Sequence, residues 1–238
     1  MEFDEVIRRR RMVRGYDPDR PVPPDLVDKI VRHGLRAPSA GFSQGWSFLV
    51  LTDPSDRSLF WSVTAPSSAP SSPSSQPSSP PVSPSSPSSP PVSPSSPAGS
   101  WIARMSTAPL IVVALSNKSA YIERYAESDK GWDDRDESRW PVPYWHIDTG
   151  FAALLMHLTA VNEGLASCFI GLPADRTTAF RDAFGVPGEF TPVGVLTVGY
   201  RGPDKRSPSL RRGHRPVDEV VHHGRWATAV TPSPPREG

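Results

Sequence analysis

The chain has 238 residues, enough for one large domain or two small ones. Its formal net charge is +1, which argues against the bulk basic field that marks nucleic-acid binding. A single cysteine, Cys168, excludes an intramolecular disulfide and a cysteine-based metal cluster.

The sequence opens on charged residues with no apolar signal core. No stretch approaches the roughly 20 apolar residues of a membrane helix. The expectation is a cytoplasmic protein with neither membrane nor nucleic acid as partner.

In chain order, Glu2 to Arg11 can form one helix that ends around Met12, with Arg8, Arg9, Arg10 and Arg11 fanned over its surface. Taken alone, this cluster reads as a solvated basic helix end that favours the helix dipole. Guanidinium forks also match phosphate oxygens. Pro24 to Arg36 has Leu26, Val27, Ile30, Val31 and Leu35 at amphipathic helical spacing. The loop Ala37-Pro38-Ser39-Ala40-Gly41 breaks that helix, and Ser39, Ser43 and Gln44 supply neutral donors and acceptors. Such groups suit the carbonyl-rich edge of a flat polar ring. The loop matches neither of the glycine-rich nucleotide patterns, so a Walker ATPase and a Rossmann dehydrogenase are disfavoured.

A strand follows from Trp46 to Thr52, then a short helix from Ser55 to Val63. Residues 66–97 are almost entirely Pro and Ser, and the decamer at 78–87 recurs unchanged at 88–97. Such a segment lacks the apolar surface to offset ordering, and its prolines forbid helix and sheet ladders. It is expected to be a disordered or polyproline-like insert. Of the two readings, domain linker and expanded loop, the flanks favour the loop, because the half before it has too few apolar residues to close a core.

Beyond the insert, Pro109 to Leu115 has a buried-strand pattern. Asp129 to Trp140 reads as an exposed loop and a candidate substrate lid. Pro143 to Glu163 is apolar on most of its circumference, so it is expected to be buried on nearly all sides, as a central core helix or a dimer-interface helix. Gly164 ends it as a C′ glycine. A strand from Ala166 to Ile170 contains Cys168 as a small buried hydrophobe, a helix runs from Ala174 to Phe184, and a strand from Val193 to Val198. A second basic cluster, Arg211-Arg212-Gly213-His214-Arg215, reads alone as surface. The two arginine clusters could converge on one phosphate.

The pattern predicts an α+β or α/β fold with a small sheet flanked by helices; α+β, with a small central mixed or antiparallel sheet and one long buried central helix, is the expectation. One domain over 1–225, interrupted by the insert, would be followed by a flexible tail over 226–238. His146 and His157 are expected to be structural. His222-His223 lacks the further ligands a metal needs, so no metal is expected. Trp46, Trp132, Trp140, Tyr144 and Trp145 are either ordinary packing or an aromatic wall over a bound ring.

Four segments together resemble the nitroreductase family. Arg10-Arg11-Met12-Val13-Arg14-Gly15-Tyr16 is similar to its Arg-Arg-Ser-x-Arg-x-[Phe/Tyr] pattern. Ala37 to Trp46 is similar to Ala-Pro-Ser-x-x-Asn-x-Gln-Pro-Trp. Gly164 to Pro173, and Gly199-Tyr200 with Arg212 to His222, match two later stretches in the same order. The resemblance covers essentially the whole chain except the insert.

By that resemblance, Arg10, Arg11, Met12 and Arg14 lie at the FMN phosphate and polar ring edge, and Arg212, His214 and Arg215 complete the phosphate grip. Ser39, Ala40, Ser43 and Gln44 contact the flavin from the partner subunit of a homodimer. Ile170 and Gly171 lie near the reactive face, with a backbone N–H available to flavin N5. The implied activity is transfer of a hydride from NAD(P)H through the flavin to a nitroaromatic, quinone or related small-molecule acceptor by a ping-pong cycle, with no catalytic side chain required. A flavin-binding or storage protein with little turnover is the alternative. Four residues depart from the pattern: Met12 replaces a hydroxyl donor, Phe42 an Asn, Gly45 a Pro and His214 an Arg. The changes at Met12, Phe42 and His214 each remove or weaken a hydrogen bond worth about 0.5–1.5 kcal/mol.

Overall fold

The apolar run beginning at Leu110 is continuous because both of its faces are covered. In the computed structural model of the chain, which describes residues 1–65, 98–204 and 207–226, Leu110–Asn117 forms an inner strand of a four-stranded sheet. Its side chains alternate between two layers. Leu110 and Val112 pack with Ile30, Met156 and Ala160, while Ile111, Val113 and Leu115 pack with Phe60 and Phe180. Full burial of each such side chain contributes about 1.5–3 kcal/mol.

Two compact units are present, Met1–Asp204 and Lys205–Gly238. The first contains α1 (Phe3–Arg9), α2 (Pro24–Gly34), β1 (Trp46–Leu51), α3 (Pro54–Thr64), α4 (Ala98–Met105), β2 (Leu110–Asn117), α5 (Lys118–Ala126), α6 (Tyr144–Asn162), β3 (Ala166–Ile170), α7 (Thr177–Phe184) and β4 (Phe190–Gly199). The strand order is β1-β2-β4-β3, and every pairing is antiparallel, so the mixed-sheet alternative is not what forms. Helices α2 and α6 cover one face, and α3 and α7 the other. The second unit holds two short 3-10 turns, Pro208–Arg212 and Val217–Glu219. The Pro/Ser insert expected at 66–97 and the tail beyond Trp226 lie outside the described residues. Among the described residues, no helix is long and apolar enough to cross a membrane.

Local chemistry sets the element ends. Asp53 caps α3 by accepting from the Ser55 N–H at 2.7 Å, with Pro54 at the first helical position. Gly164, at φ 77°, closes α6: the Leu165 N–H bonds to the Ala160 carbonyl and the Gly164 N–H to that of Val161.

Three expectations need correction. The first helix stops at Arg9 rather than Arg11, because Arg10 turns extended (ψ 124°) and the chain pairs with β3. Tertiary pairing overrides helix propensity there. Helix α6 is not buried on nearly all sides within one chain. Its inner face is small or polar, with Asp148, Thr149, Ala152, Ala153 and Ala160 buried, while Tyr144, Ile147, Phe151 and Leu154 are exposed. The small residues let it approach the sheet and α2 closely. Finally, α5 has no counterpart among the expected elements, although Asn117 caps it by accepting from the Ala120 N–H.

Candidate active site

The arginine segment is stitched to one edge of the sheet. Met12 bridges Ser167 of β3 in parallel, and the Val13 N–H donates to the Ser167 carbonyl at 3.0 Å. The Tyr16 hydroxyl donates to the Val13 carbonyl at 2.7 Å and sits 2.8 Å from Thr197 Oγ1. Burial pushes its pKa upward. Farther on, the Asp17 N–H donates to the Tyr200 carbonyl and the Gly202 N–H to that of Gly15.

This stitching leaves three guanidinium groups unpaired among the described residues, although the Asp204 carboxylate accepts from the Arg14 backbone N–H at 3.2 Å. Arg8 and Arg9 pair with Glu5, but Arg10, Arg11 and Arg14 have no carboxylate partner for their guanidinium groups among the described residues. Arg11 instead donates to the carbonyls of Arg8 and Arg10, and Arg14 reaches that of Met12 at 3.4 Å. Behind the segment lies His157, 2% exposed, with Nδ1 2.7 Å from Ser167 Oγ and Nε2 without a partner among the described residues. Burial, and then the charge of Arg10, lowers its pKa from 6.5 to about 4, so the imidazole is neutral at pH 7.

Ile170 ends β3, and exposed Gly171 follows it. A Cβ at Gly171 would meet nothing within 4 Å, so a flat ring could approach the backbone there. The structure thus pins Met12 and Val13, which lie between Arg10 and Arg14 in sequence, to β3, the strand that Ile170 ends.

The Ser39–Gln44 loop is built differently. Gly41, Phe42 and Gln44 all have left-handed backbones, with φ of 61°, 57° and 49°. For Phe42 and Gln44 this is strained, and such strain persists only where neighbours over-determine the backbone. Buried Asp148 does so: its Oδ2 accepts from the Ala40 N–H and from the Tyr121 hydroxyl, each at 2.8 Å. Arg124 Nε donates to the Gly41 carbonyl at 2.9 Å, while its terminal nitrogens grip Asp129 at 2.6 and 2.7 Å. The Gln44 N–H bonds Ser39 Oγ, and Ser43 Oγ donates to the Ala40 carbonyl. Tyr121 and Tyr125 press on the loop so closely that a Cβ at Gly45 or Gly41 would lie 2.5 Å from their rings.

Asp148, Tyr121 and Arg124 were not among the expected site residues. Asp148 carried a signal: it is the only charged residue between Tyr144 and Asn162, and a carboxylate in an apolar helix requires partners. Trp132, Trp140, Tyr144 and Trp145 pack on one another and on Tyr121 and Tyr125, with Tyr125 and Trp140 centroids 4.6 Å apart. Trp46 is buried separately, beside Ala37 and Ala152. Arg212, His214 and Arg215 belong to the second unit, where all three are exposed and Arg215 pairs with Glu219.

The two halves of the expected site do not meet within one chain. The arginine segment lies along β3 and the loop leads into β1, the opposite edge of the sheet. Three inter-strand spacings, roughly 14 Å, separate those edge strands.

The sequence profile of the nitroreductase family matches residues 7–200. The chain belongs to the nitroreductase family. An Archaeoglobus fulgidus protein provisionally named an NADH dehydrogenase/NAD(P)H nitroreductase is 23% identical over 93% of this chain and 97% of its own length. Human iodotyrosine deiodinase 1 is 21% identical over 92% of this chain and 68% of its own. A nitroreductase family protein from Clostridium difficile 630 shares the fold at a TM-score of 0.63, with 20% identity, covering 95% of this chain and all of the other. An FMN-dependent nitroreductase from Clostridium difficile R20291 aligns at a TM-score of 0.58 with 19% identity, over 93% and 98% of the two chains.

Within this nitroreductase-family member, the departures have physical readings. Met12 cannot donate, but its Sδ accepts from the Phe169 N–H at 3.4 Å and holds the edge of β3. At Gly45, the Tyr121 ring leaves no room for a side chain. Phe42 takes a left-handed backbone that Asn tolerates better, and its side chain is 75% exposed.

Proposed function

We propose that the chain is an FMN-dependent oxidoreductase that draws on NAD(P)H and reduces a small organic acceptor of the nitroaromatic or quinone class. The observation that carries this reading is the set Arg10, Arg11 and Arg14, none with a carboxylate partner for its guanidinium among the described residues, on the segment that Met12 and Val13 pin to β3, the strand that exposed Gly171 follows. A phosphate and an electron-rich ring edge fit this donor set; a neutral apolar ligand does not. When bound, the flavin supplies the hydride chemistry. The protein's part is to hold the phosphate with Arg10 and Arg11, to place Arg14 at the ring edge where negative charge develops, and to expose the Gly171 backbone to the ring.

The remaining contacts come from Ser39, Ala40, Ser43 and Gln44 of a second copy. Separation of the two halves to opposite sheet edges supports this, as does the exposed stripe Tyr144, Ile147, Phe151 and Leu154 on α6.

Titration of the full-length protein with FMN tests the reading. Arg10→Ala and Arg14→Ala should each weaken FMN about 10- to 100-fold, as expected for loss of a charge-assisted bond. Subunit mixing tests the shared site. A chain with both arginines removed and a chain with Gly41→Val should each fail to hold FMN. Their mixture should regain roughly a quarter of the sites, because each mixed dimer has one intact site. A folded protein that ignores FMN overturns the function, and a mixture with no recovery overturns the shared site.

A further inference from the structure

His157 is buried within α6, and the flavin contacts proposed above do not include it. Its Nδ1 lies 2.7 Å from the hydroxyl of Ser167, which is fully buried in β3. Its Nε2 has no partner among the described residues. Apolar residues of similar size would join α6 to β3 without leaving a buried nitrogen unpaired. The pair therefore has a use other than raw stability, and Ser167 shows what that use is.

Ser167 bonds in two directions. Its side chain reaches His157 of α6, and its backbone carbonyl accepts the Val13 N–H at 3.0 Å, where Met12 bridges it in parallel. The two halves of the arginine segment depend on it unequally. From the Val13 carbonyl onward the chain has anchors of its own. The Tyr16 hydroxyl donates to that carbonyl at 2.7 Å, Asp204 accepts from the Arg14 N–H at 3.2 Å, and Thr107 Oγ1 donates to the Tyr16 carbonyl at 3.1 Å.

The earlier half has less. The chain leaves α1 at Arg9, and Arg11 bonds only to the carbonyls of Arg8 and Arg10, within its own segment. Among the described residues, the hydrogen-bonded attachments of Arg10–Met12 to the sheet are the bridge to Ser167 and the Phe169 N–H to Met12 Sδ contact at 3.4 Å. Arg10 is close to His157, and its charge, after burial, helps to keep that imidazole neutral.

We propose that His157 is a positioning residue for the flavin phosphate: through Ser167 it fixes the stretch of β3 that carries Arg10 and Arg11, and so sets where their guanidinium groups meet the phosphate. Being buried, it does not itself touch the ligand. Arg14, with its separate anchors, keeps its place at the ring edge without it. This inference rests on the flavoenzyme reading above and deepens it.

Fluorescence titration of the full-length protein with FMN and with riboflavin tests the role. The two ligands share the ring and the ribityl chain and differ only in the phosphate, so the ratio of their affinities isolates the phosphate grip. His157→Leu removes the bond to Ser167 and should weaken FMN about tenfold, while riboflavin changes by less than about twofold. Ser167→Ala breaks the same bond from the other end with a far smaller change in volume, and should reproduce that loss. The double variant should lose no more than either single one, because all three remove one interaction. His157→Asn, whose amide can take the place of Nδ1, should bring FMN back to within about threefold of the original affinity.

Equal losses of FMN and riboflavin in these variants would mean a merely structural role and overturn the proposal, as would unchanged FMN affinity in Ser167→Ala. Should His157→Leu fail to fold, Ser167→Ala and His157→Asn decide the matter by the same ratio. An unaltered protein that binds FMN no more tightly than riboflavin has no phosphate grip, which defeats the role given to the arginines and the positioning role with it. A preference for FMN that survives every variant defeats the positioning role alone.

Discussion

Asp148 holds the Ser39–Gln44 loop through one oxygen, so removing it should expose how that loop is maintained. The carboxylate is 3% exposed and accepts from the Ala40 N–H and the Tyr121 hydroxyl, both at 2.8 Å. Hydrogen bonds to a charged acceptor contribute about 1.5–3 kcal/mol each, and the Tyr121 hydroxyl, fully buried, would be left without its acceptor. Part of this is offset by relieving a buried charge of its desolvation. Asp148→Ala should therefore cost about 3 kcal/mol, or roughly 6–12 °C of melting temperature for a chain of this size. Tyr121→Phe should cost about 1.5–3 kcal/mol. The informative variant is the double mutant. With Phe at 121 there is no orphaned hydroxyl, so the combined loss should fall short of the sum by about 1–3 kcal/mol. Urea unfolding of the four proteins at pH 7 measures the cycle, and FMN affinity should drop in step with the Asp148→Ala loss. Strict additivity, or a loss below about 1 kcal/mol in Asp148→Ala, would refute the idea that this carboxylate carries the loop.

Phe42→Asn should stabilise the protein by about 1 kcal/mol, since Asn tolerates the φ of 57° and an exposed ring surrenders no core packing; a lower melting temperature would contradict that. His157 makes stability depend on pH. Its folded pKa, about 4, lies below its ordinary 6.5, so the unfolded chain takes up a proton that the folded chain refuses. Stability is then complete above 6.5 and falls by up to about 3 kcal/mol as the pH drops toward 4. His157→Gln should flatten that slope in melting curves across the same window; an unchanged slope would assign it elsewhere. Phe151→Asp with Leu154→Asp puts charge on the exposed stripe of α6 and should yield a folded monomer that releases FMN, read by light scattering; an unchanged mass and cofactor content would mean that nothing seats on this stripe.

Much of the fold was legible because its signals are local. The uninterrupted Leu110–Leu115 run reads as a buried strand, and it is one covered on both faces; Gly164 announced the end of α6. The loop at Ser39–Gln44 was recognisable from its small polar residues, yet what holds it was not. Asp148 is 108 residues from Ala40 in sequence, and Arg124 is 83 from Gly41. Such contacts depend on how the strands are ordered, which the sequence does not display. The same ignorance hid the placement of the two half-sites at opposite edges, since Arg10 and Ser39 are close in sequence but follow different strands. Helix α5 was missed because it is only nine residues long and its apolar residues Tyr121, Ile122 and Tyr125 are matched by three charged ones. The end of α1 was misjudged because pairing of Met12 and Val13 with β3 stops the helix early, although its arginines favour continuing it.

The proposed oxidoreductase requires that electrons from NAD(P)H reach a flavin held by this chain. Its most direct test is anaerobic addition of NADH or NADPH to the purified, FMN-loaded protein while the visible flavin absorbance is followed. At least one of the two donors should bleach the flavin stoichiometrically, and the colour should return when p-benzoquinone is added. Bound flavin that keeps its colour in excess of both donors would contradict it.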